Sequence, residues 1–288
     1  MIISVASGKG GTGKTLVATS LAISIRAKEK VQLLDCDVEE PNDHLFLRPV
    51  ITDSETVCIP VPKVDYARCN FCGECARVCA YKAIAVVPKS VLIFDQLCHG
   101  CGACSYLCPE SAISEEGRKM GVVESGHAGG IEFVQGRLTV GEAMAVPVIR
   151  RVKAKIKRDR LVILDVSPGT SCPVVEAVEN SDYCLLVTEP TPFGLHDLRL
   201  AVETVRQLGV PSGVIVNRAV SGETLVHDYC KQEGIPVLLD IPLDRAIARL
   251  YSEGVTLAEG MPQWQDAFVD VYTQIKEALN ERSRCAKR

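Results

Sequence analysis

Between residues 69 and 108 the chain spells one cysteine run twice, first Cys69-x-x-Cys72-x-x-Cys75-x-x-x-Cys79 and then Cys98-x-x-Cys101-x-x-Cys104-x-x-x-Cys108. Each run has the spacing of a 4Fe-4S ligand set: three thiolates meet corners of one cubane, and the fourth is directed to the other. An offset of 29 residues carries each ligand onto its counterpart, and Ala83-Ile84 onto Ala112-Ile113, so the segment is an internal duplication. Zinc is the competing reading, but tetrahedral zinc favours two separated cysteine pairs over four thiols packed so closely along the chain.

Eight of the 14 cysteines fall in these runs. A reducing compartment keeps such thiols available as ligands, which favours metal binding over disulfides. The 288 residues, 47% hydrophobic, give room for two domains on a prior of roughly 150 residues each. A net charge of −4 lacks the basic footprint of phosphate neutralisation, so no nucleic acid partner is expected. No run of about 18 apolar residues occurs, and the N-terminus enters a strand rather than a basic-then-apolar leader. The expectation is a cytoplasmic protein without membrane insertion.

Along the chain, apolar spacing predicts strands over 2–6, 31–34, 161–166, 183–188, 212–217 and 237–241. Helices are expected over 15–27, 142–157, 174–180, 195–208, 224–233, 245–252 and 263–282. Alternation of the two implies an α/β fold, a mainly parallel sheet with helices on both faces. The alternation stops near residue 50 and resumes near 142, with a hairpin at 83–94 and short strands at 122–123 and 131–134 on the return path. The expected organisation is a nucleotide domain in two parts, 1–57 and 119–288, interrupted by a small α+β domain over 58–118.

Residues 8–15 read GKGGTGKT, a G-x-x-x-x-G-K-[ST] loop with a strand before it and a helix after it. Glycines let backbone amides wrap phosphates, and the helix offers its N-terminus to their charge. Gly8, Lys9, Gly10, Gly11, Thr12, Gly13, Lys14 and Thr15 are thus candidate contacts to ATP or ADP, with Lys14 on the β- and γ-phosphates and Thr15 on Mg²⁺. The strand 161–165 ends in Asp165, suited to holding that ion through water, and Gly169 in the following Ser-Pro-Gly-Thr turn suits a γ-phosphate sensor.

With its additional Lys9, this loop resembles the deviant Walker A group of MinD and ParA ATPases, Mrp-type proteins and the nitrogenase iron protein. The resemblance implies a nucleotide-dependent homodimer, or a heterodimer with a paralogous ATPase, in which Lys9 reaches the partner's nucleotide. It implies that Asp37 orients the attacking water, with Asp35 in support, although strand-end aspartates also serve as turn or cap residues. It places adenine near Asn217, Pro242 and Asp244.

The cysteine runs resemble those of bacterial two-cluster ferredoxins. That implies Cys69, Cys72, Cys75 and Cys108 on one 4Fe-4S cluster, and Cys98, Cys101, Cys104 and Cys79 on the other. Pro109 follows Cys108 as in that family, whereas Ala80 follows Cys79 in place of proline.

Nearly the whole chain therefore resembles MinD-superfamily P-loop ATPases with an inserted ferredoxin domain. The implied function is ATP hydrolysis as a dimer switch coupled to electron transfer toward a redox or iron-sulfur partner. The alternatives are an iron-sulfur carrier, for which the usual late Cys-x-x-Cys is missing, and a positioning ATPase with structural clusters. Cys172 occupies the place of a bridging ligand in the nitrogenase iron protein but reads as a plain buried or redox-silent thiol. Seven basic residues within 150–160 read as an exposed helix face, and the Trp264, Phe268, Val271 and Ile275 stripe as core.

Overall fold

The computed structural model describes residues 1–285, and its elements follow the expected alternation on both sides of the cysteine segment. β1 (Ile2–Ala6), α1 (Lys14–Ile25), β2 (Val31–Asp35), α2 (Asp43–Leu47) and β3 (Val50–Val64) form the opening. The cysteine segment holds α3 (Glu74–Val78), β4 (Ile84–Val87), β5 (Ser90–Ile93) and α4 (Ala103–Tyr106). The return comprises β6 (Ile113–Ala128), β7 (Ile131–Leu138), α5 (Val146–Lys153), β8 (Leu161–Asp165), α6 (Cys172–Val178) and β9 (Tyr183–Thr188). The remainder is α7 (Pro192–Gln207), β10 (Ser212–Ala219), α8 (Leu225–Glu233), β11 (Val237–Pro242), α9 (Arg245–Ser252), α10 (Leu257–Gly260) and α11 (Gln263–Cys285).

Nine strands form one sheet in the order β11-β10-β9-β1-β8-β2-β7-β6-β3. The neighbours from β11 to β7 are parallel, and β6 and β3 close one side antiparallel. Alternate residues of β8 serve two cores, Leu161 and Ile163 on one face and Val162 and Leu164 on the other. Burial on both faces is why the strand reads as a continuous apolar run. α1 shares the first core with Phe268, Val271 and Ile275 of α11, so the C-terminal stripe is core as expected. The basic run is spent within the chain, with Arg151 and Lys155 on Glu55, Lys157 and Arg160 on Glu132, and Arg150 on Glu176.

The largest departure from the expected elements lies at residues 50–64 and 113–128. No strand was expected in the first stretch and only 122–123 in the second, yet the two pair antiparallel from Val50↔His127 to Val64↔Ile113. At about 3.3 Å per residue each strand is roughly 50 Å long. β7 pairs with β6 only from Gly121 to Ala128, so the outer halves of β3 and β6 leave the sheet as a two-stranded ribbon. The ribbon carries residues 65–112 at its tip. The boundaries at 57/58 and 118/119 fall inside these two strands. Pro60 and Pro62 sit in β3, where an edge position spares the missing N–H from breaking a ladder.

Helix starts also differ. α7 begins at Pro192, three residues before the expected start, because Thr191 caps it by accepting the Gly194 N–H at 2.9 Å. α5 is shorter than 142–157, starting at Val146 with Pro147 in its first turn.

The duplication is visible in the backbone. Left-handed residues recur at the 29-residue offset: Phe71 and Gly100, Gly73 and Gly102, Lys82 and Ser111, all with φ between 47° and 81°. Gly73 and Gly102 immediately precede the short helices α3 and α4. β4 and β5 form the expected hairpin, Ile84↔Ile93 to Val87↔Ser90. No helix among the described residues is long and apolar enough to cross a membrane.

Candidate nucleotide site and paired thiol cavities

The parallel strands end together at their carboxyl edge, where α/β sheets place ligands. β1 delivers the glycine loop there, and the pairing of β2 with β8 sets Asp35 beside Asp165. Gly8 is required by packing: a Cβ there would lie 2.1 Å from the Asp197 carbonyl oxygen of α7. Gly11 and Gly13 take φ values of 78° and 99°, closed to most side chains without strain. Gly10 has more room, with Pro168 Cγ 3.9 Å from the position of a Cβ.

The loop's polar atoms are held from several directions. Ser7 Oγ donates to the Lys9 carbonyl at 2.6 Å, and Asn217 Nδ2 donates to the Thr12 carbonyl at 2.7 Å. Lys14 is buried. Thr15 Oγ1 donates to Asp165 Oδ2 at 2.7 Å, whereas Asp165 Oδ1 is buried without a hydrogen-bond partner. Burial raises Asp165 to about 6, opposed by Lys14 and the Thr15 hydroxyl. A hydroxyl beside a bare buried carboxylate oxygen is a donor set that fits a hard divalent cation.

Asp35 and Asp37 divide the work at the end of β2. Asp35 is buried and accepts backbone N–H groups from Asp37 at 3.1 Å, Asn42 at 2.9 Å and Asp43 at 3.1 Å, so it organises the loop. Asp37 is pushed upward by burial, against the pull of Lys14. The Gly169 N–H, expected to face phosphate, donates here to the Ser7 carbonyl at 2.9 Å. Thus the turn after β8 is fastened to the start of the phosphate loop.

Asn217, Pro242 and Asp244 line one open recess of about 340 Å³ with Gly11, Gly13 and Tyr251. Asp244 caps α9, accepting the Ala246 N–H at 2.7 Å. Asn217 faces both the recess and the loop.

Two residues of this region, Glu189 and Asp43, escaped the sequence reading. Glu189, just past β9 and only 8% exposed, pairs with Lys9 at 3.0 Å and with Arg218. Asp43 is completely buried. For Glu189 the available signal was a carboxylate closing an apolar strand, the same signal that marked Asp165. For Asp43 there was none, since a five-residue helix carries no period.

At the ribbon's tip the eight thiols line two cavities. One is lined by Cys69, Cys72, Cys75 and Cys108, and one by Cys79, Cys98, Cys101 and Cys104. Each lining takes three cysteines from one run and the last from the other. The duplication extends to hydrogen bonds: Ala83 N–H donates to Cys79 Sγ at 3.2 Å and Ala112 N–H to Cys108 Sγ at 3.3 Å. Burial raises the Cys75 and Cys104 thiols, and the other two cysteines of each triplet add to the rise. Among the described residues no three His, Cys, Asp or Glu side chains converge as they would on one ion.

Ala80 is exposed where a proline was expected. Its neighbour Tyr81 lines the second cavity and stacks on His99 with centroids 3.6 Å apart and planes at 8°. Pro60 and Pro62 of β3 complete that wall. Cys172 is exposed at the start of α6, not buried.

A parallel sheet with a glycine loop between its first strand and a buried helix defines a nucleotide-binding α/β protein of the phosphate-loop class. Residues 3–257 match the CobQ/CobB/MinD/ParA nucleotide binding domain, and the chain belongs to that family. It is 30% identical over 265 residues to an uncharacterized protein of Methanocaldococcus jannaschii, covering 88% of this chain and 90% of that one. It is 23% identical to an iron-sulfur cluster carrier protein of Aquifex aeolicus, covering 98% of this chain and 68% of the other. Among solved structures, the septum site-determining protein MinD of Pyrococcus horikoshii, complexed with Mg-ADP, shares the fold. Its TM-score is 0.59 at 18% identity, covering 95% of each chain.

Proposed function

We propose that the chain binds and hydrolyses ATP as a nucleotide-dependent dimer and couples that switch to electron transfer through two 4Fe-4S clusters. The observation that carries this reading is the crossed lining of the two thiol cavities at the tip of a ribbon that leaves the sheet at the carboxyl edge of β7, the edge that also bears the nucleotide site. Bound clusters would supply one-electron transfer, and magnesium would neutralise phosphate charge.

In this reading Lys14 and the loop amides hold the phosphates, and Thr15 with Asp165 holds the ion. Asp37 orients water, and Lys9 exchanges Glu189 for the nucleotide of a second subunit. Cys69, Cys72, Cys75 and Cys108 hold one cluster and Cys79, Cys98, Cys101 and Cys104 the other, within an inserted ferredoxin-like domain. Coupling has a covalent route: the loop after β2 runs through α2 into β3, whose outer end supplies Pro60 and Pro62 to a cavity wall. The Mg-ADP complex of the Pyrococcus horikoshii relative supports the choice of nucleotide and ion.

The test is anaerobic purification with iron and sulfide counts, and EPR of the reduced protein with and without ATP. About eight irons per chain and a nucleotide-sensitive spectrum are expected. Absence of stoichiometric sulfide refutes the reading. Likeness to the Aquifex aeolicus carrier favours cluster delivery as the second reading. Mixing with an apo-acceptor separates the two: a carrier loses iron and sulfide, whereas an electron carrier loses electrons alone.

A further inference from the structure

Asp43, the first residue of α2, is completely buried, and neither carboxylate oxygen has a hydrogen-bond partner. Its side chain abuts Asp165 and feels the charges of Asp35 and Asp37. Asp165 Oδ1 is likewise buried and unpartnered, while its Oδ2 is taken by Thr15. Three bare carboxylate oxygens therefore lie where Asp43 meets Asp165, whose remaining oxygen holds the Thr15 hydroxyl. Burying carboxylates in this way is strongly unfavourable unless something positive joins them.

A proton shared between Asp43 and Asp165 satisfies one oxygen of each and leaves the second oxygen of Asp43 bare. A hard divalent cation, which takes oxygen ligands directly or through its waters, satisfies all of them at once. We propose that Asp43 is a further carboxylate of the divalent-cation site, acting on the ion together with Thr15 and Asp165. The inference rests on the reading of Thr15 and Asp165 as that site. It adds a mechanical consequence: occupancy pins the start of α2, which passes through Arg48, in a left-handed conformation at φ 48°, into β3. Ion binding is thereby felt by the strand that walls the second thiol cavity.

The experiment is EPR titration of Mn²⁺, the probe ion, into the full chain saturated with ADP. Asp43→Asn is expected to weaken Mn²⁺ binding by about 10- to 100-fold, the usual cost of losing a residue that supports a metal site. ADP affinity in EDTA is expected to stay unchanged. Unchanged or tighter Mn²⁺ binding overturns the proposal, because a neutral amide donating to Asp165 replaces a shared proton without loss.

If Asp43→Asn does not fold, hydrogen exchange on the wild-type chain decides. Amides 43–47 should gain protection when Mg²⁺ joins ADP, and no gain overturns the proposal. Thr15→Ala locates any failure: loss of Mn²⁺ there but not in Asp43→Asn sinks only the Asp43 inference, whereas no ion in the wild type sinks both.

Discussion

Lys9 Nζ lies 3.0 Å from Glu189 Oε2, so the lysine expected to cross to a second subunit is held by a carboxylate of its own chain. Glu189 also pairs with Arg218, which remains to neutralise it once Lys9 leaves. The exchange therefore does not strand a buried charge, and a partly exposed pair of this kind is worth at most about 1 kcal/mol. Glu189→Gln should raise the ATP-dependent dimerisation constant by up to about fivefold for each such pair, as read by analytical ultracentrifugation. Lys9→Ala should bind ATP as a monomer and hydrolyse it slowly, by about 10³-fold if Lys9 acts as an arginine finger does. Unaltered turnover in Lys9→Ala would refute the crossing role.

Gly8 and Gly10 are both loop glycines, yet only the first is walled in by backbone, at 2.1 Å from the Asp197 carbonyl. Gly8→Ala should destabilise the fold by about 1–3 kcal/mol, as overpacking does, and abolish nucleotide binding. Gly10→Ala should melt within a degree or two of wild type. Equal melting of the two variants would show that α7 does not set the position of the loop.

Asn217 is nearly buried and bonds in two directions, to the Thr12 carbonyl at 2.7 Å and from the Arg218 N–H at 2.9 Å. Asn217→Ala leaves buried groups unpaired, a cost of about 1–3 kcal/mol. We expect a lower melting temperature together with weaker binding of a fluorescent ADP. Full ADP affinity in a destabilised variant would confine Asn217 to a structural role.

The crossed cavity linings make an unusual demand on Cys79, which belongs to the first run but faces the triplet of the second. Cys79→Ser should perturb the EPR signal of one cluster and lower iron by about four atoms of eight. Cys72→Ser should disturb the other signal. Cys172→Ser, at an exposed thiol outside both cavities, should change neither. If Cys79 and Cys72 variants lose the same signal, the connectivity is not crossed.

The buried apolar residues at the tip are Ile84, Val91 and Cys104, with Ala83 and Ala112. So small a core supports little folding free energy, and in the proposed reading bound clusters supply the rest. Stripping iron should expose residues 65–112 to limited proteolysis while ADP binding by the remainder persists. Protease resistance of the stripped tip would mean that the ribbon alone holds it.

Much of the fold was legible because its signals are local. The glycine loop, the apolar runs of β1, β2, β8 and β9 and the two cysteine runs are patterns within a few residues; the apolar runs form the strands that their spacing predicts, and the loop lies between β1 and α1. β3 was not legible: as an edge strand with one end in solvent it mixes Thr52, Asp53, Ser54 and Glu55 with two prolines, and nothing in that composition marks a strand. Its partner β6 was half hidden for the same reason.

The sequence by itself determined the class of nucleotide loop, the alternation that builds a parallel sheet, and two duplicated thiol sets, because backbone geometry and ligand spacing act over short separations. Only the tertiary structure decided that Lys9 meets Glu189, that Asp43 is sealed against Asp165, that Asn217 braces Thr12, and that the cavities cross. Those pairs depend on strand order and register, which bring together side chains more than a hundred residues apart, and on burial, which makes an unpartnered carboxylate costly.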